Sequence, residues 1–173
     1  MAHIGTLLSC LTRICMYPPP GSGKAVSEVK HMMNSQRVLN DIIKTSQMGI
    51  NGINVVMPKA SRSALRQALK VQRREYSDIE QQAKLLAQQK GYKIDQLKPI
   101  NRKMGALMSK GQLIMGEPNS KIAGMMIQGN TRGMILSLKN MHRCNDPDEQ
   151  VAQLAQKLLE TEKNNITTMQ GFV

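Results

Sequence analysis

The feature that most constrains the fold is a pattern in which apolar residues recur every three or four positions, the spacing of one face of an α-helix. The clearest example runs from Asp148 to Val173, where the apolar positions are Val151, Leu154, Ala155, Leu158, Met169 and Phe172. The chain has no Trp and one Phe but fourteen Met, a composition that favours helices over strands. Its 173 residues are the size of one domain. We therefore expect an all-α fold.

Earlier stretches show the same periodicity and predict three more long helices. Their expected limits are Asn34 to Met57, Ser61 or Ser63 to Lys90, and Asn119 or Ser120 to about Arg143. Asn34 or Ser35 can cap the first helix and Pro58 can end it. Gly91 follows the second helix as a typical C-terminal glycine. The turn from Asn145 to Asp148 is expected to cap the fourth helix.

Each of these helices is expected to bury one face. The predicted faces are Leu39, Ile43, Ile50, Ile53 and Met57 on the first helix, Leu65, Leu69, Tyr76, Ile79, Ala83 and Leu86 on the second, and Gly124, Gln128, Thr131, Ile135 and Leu138 on the third. Glycines at positions 49, 52, 129 and 133 interrupt good helix formers. Because glycine lowers helix propensity, we expect these positions to allow close packing between helices.

The connection from Tyr92 to Pro118 is long and predicts the topology. A short amphipathic helix is expected within it, carrying Ile100, Met104, Leu107 and Met108 beside basic residues. A connection of this length can carry the chain back along the bundle, so we expect the second and third helices to run parallel. The alternative is that the short helix binds a membrane surface or a partner.

Residues 1–31 show no sustained periodicity and are expected to form an unstructured extension before the bundle of residues 32–173. Leu7 to Met16 is too short and polar to span a bilayer and follows no basic region, so neither a signal peptide nor a membrane anchor is expected. The segment Gly21 to Lys24 lacks the first glycine, the hydroxyl residue and the strand of a phosphate loop. Since Glu28 and Val29 can be encoded by a ribosome-binding sequence, Met32 or Met33 is an alternative start.

Charge and cysteine content suggest a cellular setting. The formal charge of +12 attracts acidic partners such as nucleic acid or anionic lipid. Lys and Arg are dispersed along all the helices, and aromatic residues that could stack on bases are scarce. A solvated basic surface is therefore favoured, and nucleic-acid binding stays an alternative. The three Cys form no Cys-x-x-Cys pair, which favours a reducing cytoplasm.

Several polar residues occupy helix positions that hold a metal in di-iron four-helix bundles. That template has a carboxylate on helices one and three and Glu-x-x-His on helices two and four. The corresponding positions here are Gln47, Glu75 with Asp78, Gln128, and Glu162 with Asn165. Amides are poor ligands for iron or manganese, and the three His are scattered. We therefore expect a degenerate site, with no bound metal or cofactor and no catalytic residue.

These polar groups have a simpler interpretation as hydrogen-bonding partners across the bundle. Such groups fix the register of the helices, because an unpaired polar group in the core is costly. The residues expected to act in this way are Gln47, Asn51, Gln128, Thr131, Asn164 and Asn165.

Taken together, several segments resemble an uncharacterised family of ferritin-like four-helix-bundle proteins from clostridia and related Firmicutes. The segments are Gln47–Ile50, Met57–Lys59, Tyr76–Ala83, Ile122–Gly129 and Glu160–Ile166. The resemblance covers residues 33–173 and excludes the N-terminal extension. It implies a ferritin-like four-helix bundle in the cytoplasm, without an established activity.

These observations predict a non-enzymatic structural or interaction protein that self-associates and binds an unknown protein partner. One alternative is a redox or storage protein that binds iron or manganese through Glu75, Asp78 and Glu162. A second alternative is a basic protein that coats nucleic acid without regard to its sequence.

Overall fold

A computed structural model describes residues 23–95, 118–144 and 147–173. These residues form helices α1 (Gly23–Val56), α2 (Ser63–Gln89), α3 (Pro118–Arg143) and α4 (Glu149–Gln170), with a short 3-10 turn at Met57–Lys59. No strand occurs in this part of the chain, which confirms the all-α prediction. Residues 1–22, which include Gly21 and Ser22 of the phosphate-loop-like segment, and the predicted short helix around Met104 lie outside the described residues.

The direction of each helix follows from hydrogen bonds at the two ends of the bundle. At one end, Asn119 Oδ1 near the start of α3 accepts from the backbone N–H of Ser61 at 3.0 Å and of Arg62 at 3.1 Å, just before α2. At the other end, Lys90 Nζ, just after α2, lies 2.8 Å from Asp148 Oδ2 at the start of α4. Helices α2 and α3 are therefore parallel, as predicted.

The helices form a bundle in which neighbours are antiparallel. Helix α1 packs against α2 and α3, and α4 packs against the same two helices. The buried core draws on all four helices and includes Leu39, Ile43, Ile53, Leu65, Leu69, Ile79, Ile122, Leu158 and Met169. The predicted faces of α2 and α4 are confirmed, with Leu86 and Phe172 packed at the margin of the core. No helix in the described ranges is long and apolar enough to cross a membrane.

Two predicted helix ends are confirmed in atomic detail. Beyond α2, Tyr92 N–H donates to Ala87 O at 2.8 Å and Gly91 N–H donates to Gln88 O at 3.2 Å, the paired bonds of a Schellman motif. Gly91 has φ of 67°, which favours glycine. At the start of α4, Asp148 Oδ1 accepts from Gln150 N–H at 3.0 Å. Hydrogen bonding and charge from Lys90 lower the pKa of Asp148.

Helix α1 begins at Gly23, well before the predicted Asn34. The structure thus corrects the boundary of the extension, because residues 23–31 are helical. In this segment Val26 is 71% exposed and Val29 52% exposed, so the helix does not pack against a neighbour here. The sequence therefore lacks the apolar periodicity from which a helix could be predicted. Ser35 is not a cap: it is buried within α1, and its Oγ accepts from Asp148 N–H at 2.8 Å.

The buried face of α3 also differs from the prediction. Gln128, Ile135 and Leu138, which were expected to point inward, are exposed. The face that packs inward carries Asn119, Ile122, Ala123, Met126, Asn130 and Ser137. The C-terminal part of this face is polar, because it carries Asn130 and Ser137. The hydrophobic periodicity of the sequence therefore indicates the wrong side of the helix. The side chain of Asn119 does not cap α3 either, because it bonds the residues before α2.

Candidate functional site: a buried carboxylate cluster

The polar centre of the bundle is built around Glu162. The periodicity of α4 places this residue on the seam with Leu158 and Met169, and its side chain is 2% exposed. Tyr76 of α2 places its hydroxyl 2.8 Å from Glu162 Oε2 and 3.0 Å from Asn130 Oδ1 of α3. A carboxylate, a phenol and an amide from three helices therefore form one hydrogen-bonded unit, here called the Glu162 cluster.

Two glycines make room for this cluster. A Cβ on Gly133 of α3 would overlap Glu162 Oε1 and lie 3.0 Å from its Cδ, with Thr45 Cγ2 of α1 at 3.3 Å. A Cβ on Gly49 of α1 would lie 2.7 Å from Cε2 of the Tyr76 ring. The prediction of close packing is thus confirmed at both positions. It is wrong at Gly129, where a Cβ would meet nothing within 4 Å.

Burial perturbs the acid–base properties of the cluster. Desolvation raises the pKa of Glu162 from 4.5 to about 7, against the opposing effect of the hydrogen bond from Tyr76. The pKa of Tyr76 is also raised, first by burial and then by the nearby Glu162 charge. Burial raises the pKa of Glu75, the Asn165 side chain opposes this, and the charge of Asp78 adds to it. Glu162 consequently takes up a proton close to neutral pH.

The protonated form of Glu162 suits the hydrogen-bond geometry better than the ionised form. The Tyr76 hydroxyl has a single proton but faces two acceptor oxygens, Glu162 Oε2 and Asn130 Oδ1. If Glu162 is protonated, it donates to the hydroxyl, which donates in turn to Asn130. If Glu162 is ionised, the Tyr76 hydroxyl donates its hydrogen bond to Glu162 Oε2 and Asn130 Oδ1 loses its donor.

Further buried polar atoms lie around the cluster on α2, α3 and α4. Gln72 Nε2 donates to the backbone oxygen of Asn165 at 3.4 Å. Among the described residues, no hydrogen-bond partner reaches Gln72 Oε1, Glu75 Oε2, Asn130 Nδ2 or Asn165 Nδ2. Each such atom costs about 1–3 kcal/mol when it stays unpaired, so a small polar molecule such as water would gain stable bonds here.

The structure unites only part of the predicted ligand set. Glu162 and Asn165 are buried, and Glu75 is half-buried beside Asn165. Gln47 instead donates from Nε2 to Glu80 Oε1 at 2.7 Å. Asp78 and Gln128 are exposed, so both face away from the cluster. In the ranges that the structure describes, no three His, Cys, Asp or Glu side chains are grouped to hold a metal ion.

The interpretation of polar residues as partners across the bundle is correct for Gln47, which bonds Glu80 of α2. Asn165 is buried as expected, but its Nδ2 has no partner among the described residues. The interpretation is wrong for Asn164 and Gln128, which are exposed, while Asn51 and Thr131 are half-buried. Sequence reasoning missed Asn130 and Gly133 as members of the central site and treated Tyr76 only as core. The sequence feature that could have revealed Asn130 is the other face of α3, on which it lies one helical turn after Met126.

These features define the class of the protein as an all-α four-helix bundle with a buried polar centre. Comparisons with protein-family models and with curated proteins found no match. The fold is similar to the crystal structure of a DUF305 fragment from Deinococcus radiodurans, with a TM-score of 0.63 and 12% identity. The alignment covers 80% of this chain and 93% of that chain, and at this identity it shows the fold alone.

Proposed function

We propose that this chain is a non-catalytic, self-associating protein of the cytoplasm, with a ferritin-like bundle in which the Glu162 cluster takes the place of a metal centre. The parallel arrangement of α2 and α3 supports the ferritin-like assignment. The observation that carries the proposal is the enclosure of Glu162: Tyr76 binds one carboxylate oxygen at 2.8 Å, and Gly133 lies against the other.

A metal at this position would meet unsuitable neighbours. Thr45 of α1 and Gly133 and Asn130 of α3 lie at this position, and none of them supplies a carboxylate or an imidazole. Iron and manganese sites in such bundles need charged oxygen ligands from several helices. The cluster instead satisfies Glu162 with a phenol, which stabilises the packing of three helices.

Metal content tests this proposal directly. Protein purified natively without chelators would be analysed for iron and manganese, alongside Glu162→Ala and the control Glu160→Ala, whose side chain on α4 is exposed. We expect sub-stoichiometric metal in all three proteins. Near-stoichiometric metal that disappears only in Glu162→Ala would overturn the proposal and support the redox or storage alternative.

The self-association is supported by a groove between α2 and α4 whose lining carries a single charged side chain, Lys157. The groove has a volume of about 400 Å³ and is lined by Gln82, Leu85, Leu86, Gln89, Gln150, Gln153, Leu154 and Lys157. Leu85 is 50% exposed there. Two copies that each carry +12 repel one another, so a nearly neutral face with exposed leucine is where a second copy can approach.

Sedimentation velocity over a range of protein concentrations tests this surface. We expect the wild-type chain to form a dimer or larger assembly and Leu85→Arg to be monomeric. Val71→Arg is the matched control, since Val71 lies on the same helix outside the groove and is 47% exposed. A monomeric wild type, or equal dissociation of both variants, would contradict the assignment.

A further inference from the structure

The acidic residues of this chain are segregated, although the basic residues are dispersed. Between Asp41 and Glu75 the sequence has no Asp or Glu but seven Lys and Arg. This acid-free stretch covers the second half of α1, the 3-10 turn and the first half of α2. Most of it lies toward the end of the bundle where Asn119 bonds Ser61, while its first residues follow Asn40, which bonds Lys93 and Asp95 at the opposite end.

The cations on α2, and Arg62 just before it, form one row. Arg62, Arg66, Lys70, Arg73 and Arg74 are spaced three or four residues apart, or adjacent, and all are exposed. At 1.5 Å per residue they form a row about 18 Å long, here called the α2 basic stripe. The other half of the bundle differs, because Glu80 pairs with Lys84 and Asp148 pairs with Lys90.

Part of the stripe borders a groove between α1 and α2. The groove has a volume of about 620 Å³ and is lined by Ile50, Met57, Lys70, Arg73, Arg74, Ser77 and Asp78. Arg73 Nη1 lies 3.4 Å from Asn54 Oδ1, a neutral partner that leaves the positive charge uncompensated. Asp78 at the edge of the groove is the one acidic residue in its lining.

We propose that the α2 basic stripe binds the phosphate backbone of a single-stranded nucleic acid and does not read its bases. Guanidinium groups match phosphate oxygens with paired hydrogen bonds. A flexible strand can enter the groove that the stripe borders, whereas a flat lipid surface cannot reach the floor of a groove. The acid-free stretch contains no aromatic residue to stack on bases, so binding depends on charge alone. This activity is independent of self-association and of the Glu162 cluster.

The test uses fluorescence anisotropy of a labelled 20-nucleotide oligothymidine with the full chain at several salt concentrations. The stripe variant carries Arg66→Gln, Lys70→Gln and Arg74→Gln. The control variant carries Arg37→Gln, Lys93→Gln and Lys139→Gln, which are exposed in the other half of the bundle and remove the same charge. Circular dichroism would verify that both variants are folded.

For the wild type, the logarithm of the binding constant should fall linearly with the logarithm of salt concentration, with a slope of about −0.7 per phosphate contact. The stripe variant should lose about two units of this slope and at least tenfold in affinity at low salt, and the control variant should lose little of either.

Equal losses in both variants would show a response to net charge only and would overturn the proposal. Displacement of the oligonucleotide by equimolar polyglutamate would overturn it in favour of an acidic protein partner. Preferential binding of the wild type to phosphatidylglycerol vesicles would overturn it in favour of a lipid surface.

Discussion

Replacing Gly133 by alanine tests whether the Glu162 cluster determines packing at the centre of the bundle. The new Cβ would overlap Glu162 Oε1 and lie 3.3 Å from Thr45 Cγ2, so the carboxylate must move. It can move only by weakening its 2.8 Å hydrogen bond with Tyr76, because its side chain is 2% exposed and has no solvent to turn into.

The opposing free energies can be compared. Alanine in place of helical glycine stabilises a helix by about 1 kcal/mol. Loss of a buried hydrogen bond to a carboxyl group costs about 1.5–3 kcal/mol, and retaining it under steric strain costs about 1–3 kcal/mol. Gly133→Ala should therefore destabilise the fold by about 0.5–2 kcal/mol.

The matched control is Gly129→Ala, one turn earlier on α3, where a Cβ meets nothing within 4 Å. This change should stabilise the protein by about 0.5–1 kcal/mol through helix propensity alone. Urea unfolding followed by circular dichroism measures both. In thermal scans the two variants should differ by about 2–12 °C, since 1 kcal/mol shifts Tm by about 2–4 °C at this size.

A second control addresses the cause of the destabilisation. In a Glu162→Ala background the carboxylate that the new Cβ would meet is absent. Gly133→Ala should therefore lower the free energy of unfolding by at least about 1 kcal/mol less than it does in the wild type. The reasoning is refuted if Gly133→Ala and Gly129→Ala stabilise alike, or if the double-mutant cycle shows no coupling.

Three further predictions concern the same framework. Because folding raises the pKa of Glu162 from 4.5 to about 7, the free energy of unfolding should fall by about 3 kcal/mol as pH rises through that window, and urea titrations should show this dependence removed in Glu162→Gln. Gly49→Ala should cost about 2–4 kcal/mol in the same assay, since its Cβ would lie 2.7 Å from the rigid Tyr76 ring. Asn119→Ala should cost about 1–3 kcal/mol because it leaves the backbone N–H of Ser61 without its acceptor, and Asn119→Asp should retain most of that stability.

Helices with a strongly apolar face could be predicted accurately from the sequence. The predicted buried face of α2, the glycine that follows it and the Asp148 cap all agree with the structure, because each depends only on a local sequence pattern. The burial of Glu162 and Asn165 was also predictable, since both continue the apolar seam of α4.

The orientation of α3 and the true start of α1 could not be predicted, for a common reason. Hydrophobic periodicity reports packing, and it fails where a buried face is polar or where a helix has no neighbour. Asn130 and Gly133 face the core because Glu162 and Tyr76 on other helices require space and a partner there. Such complementarity exists only in three dimensions.

The distribution of charge could also be predicted only in part from the sequence. Counting Lys and Arg alone suggested a dispersed basic surface, whereas the absence of acids between Asp41 and Glu75 concentrates positive charge in one half of the bundle. The helical register of Arg66, Lys70 and Arg74 then places three of these charges along one face.

The division of the Glu162 cluster between the two ends of the chain has a consequence for how the molecule assembles. Helices α1 and α2 form one hairpin, which contributes Tyr76, and α3 and α4 form a second, which contributes Asn130 and Glu162. While the two halves are apart, as in the unfolded chain, Glu162 is open to water and ionised at neutral pH. Docking removes that water, so the joining of the two halves is coupled to proton uptake and is favoured in mildly acidic solution.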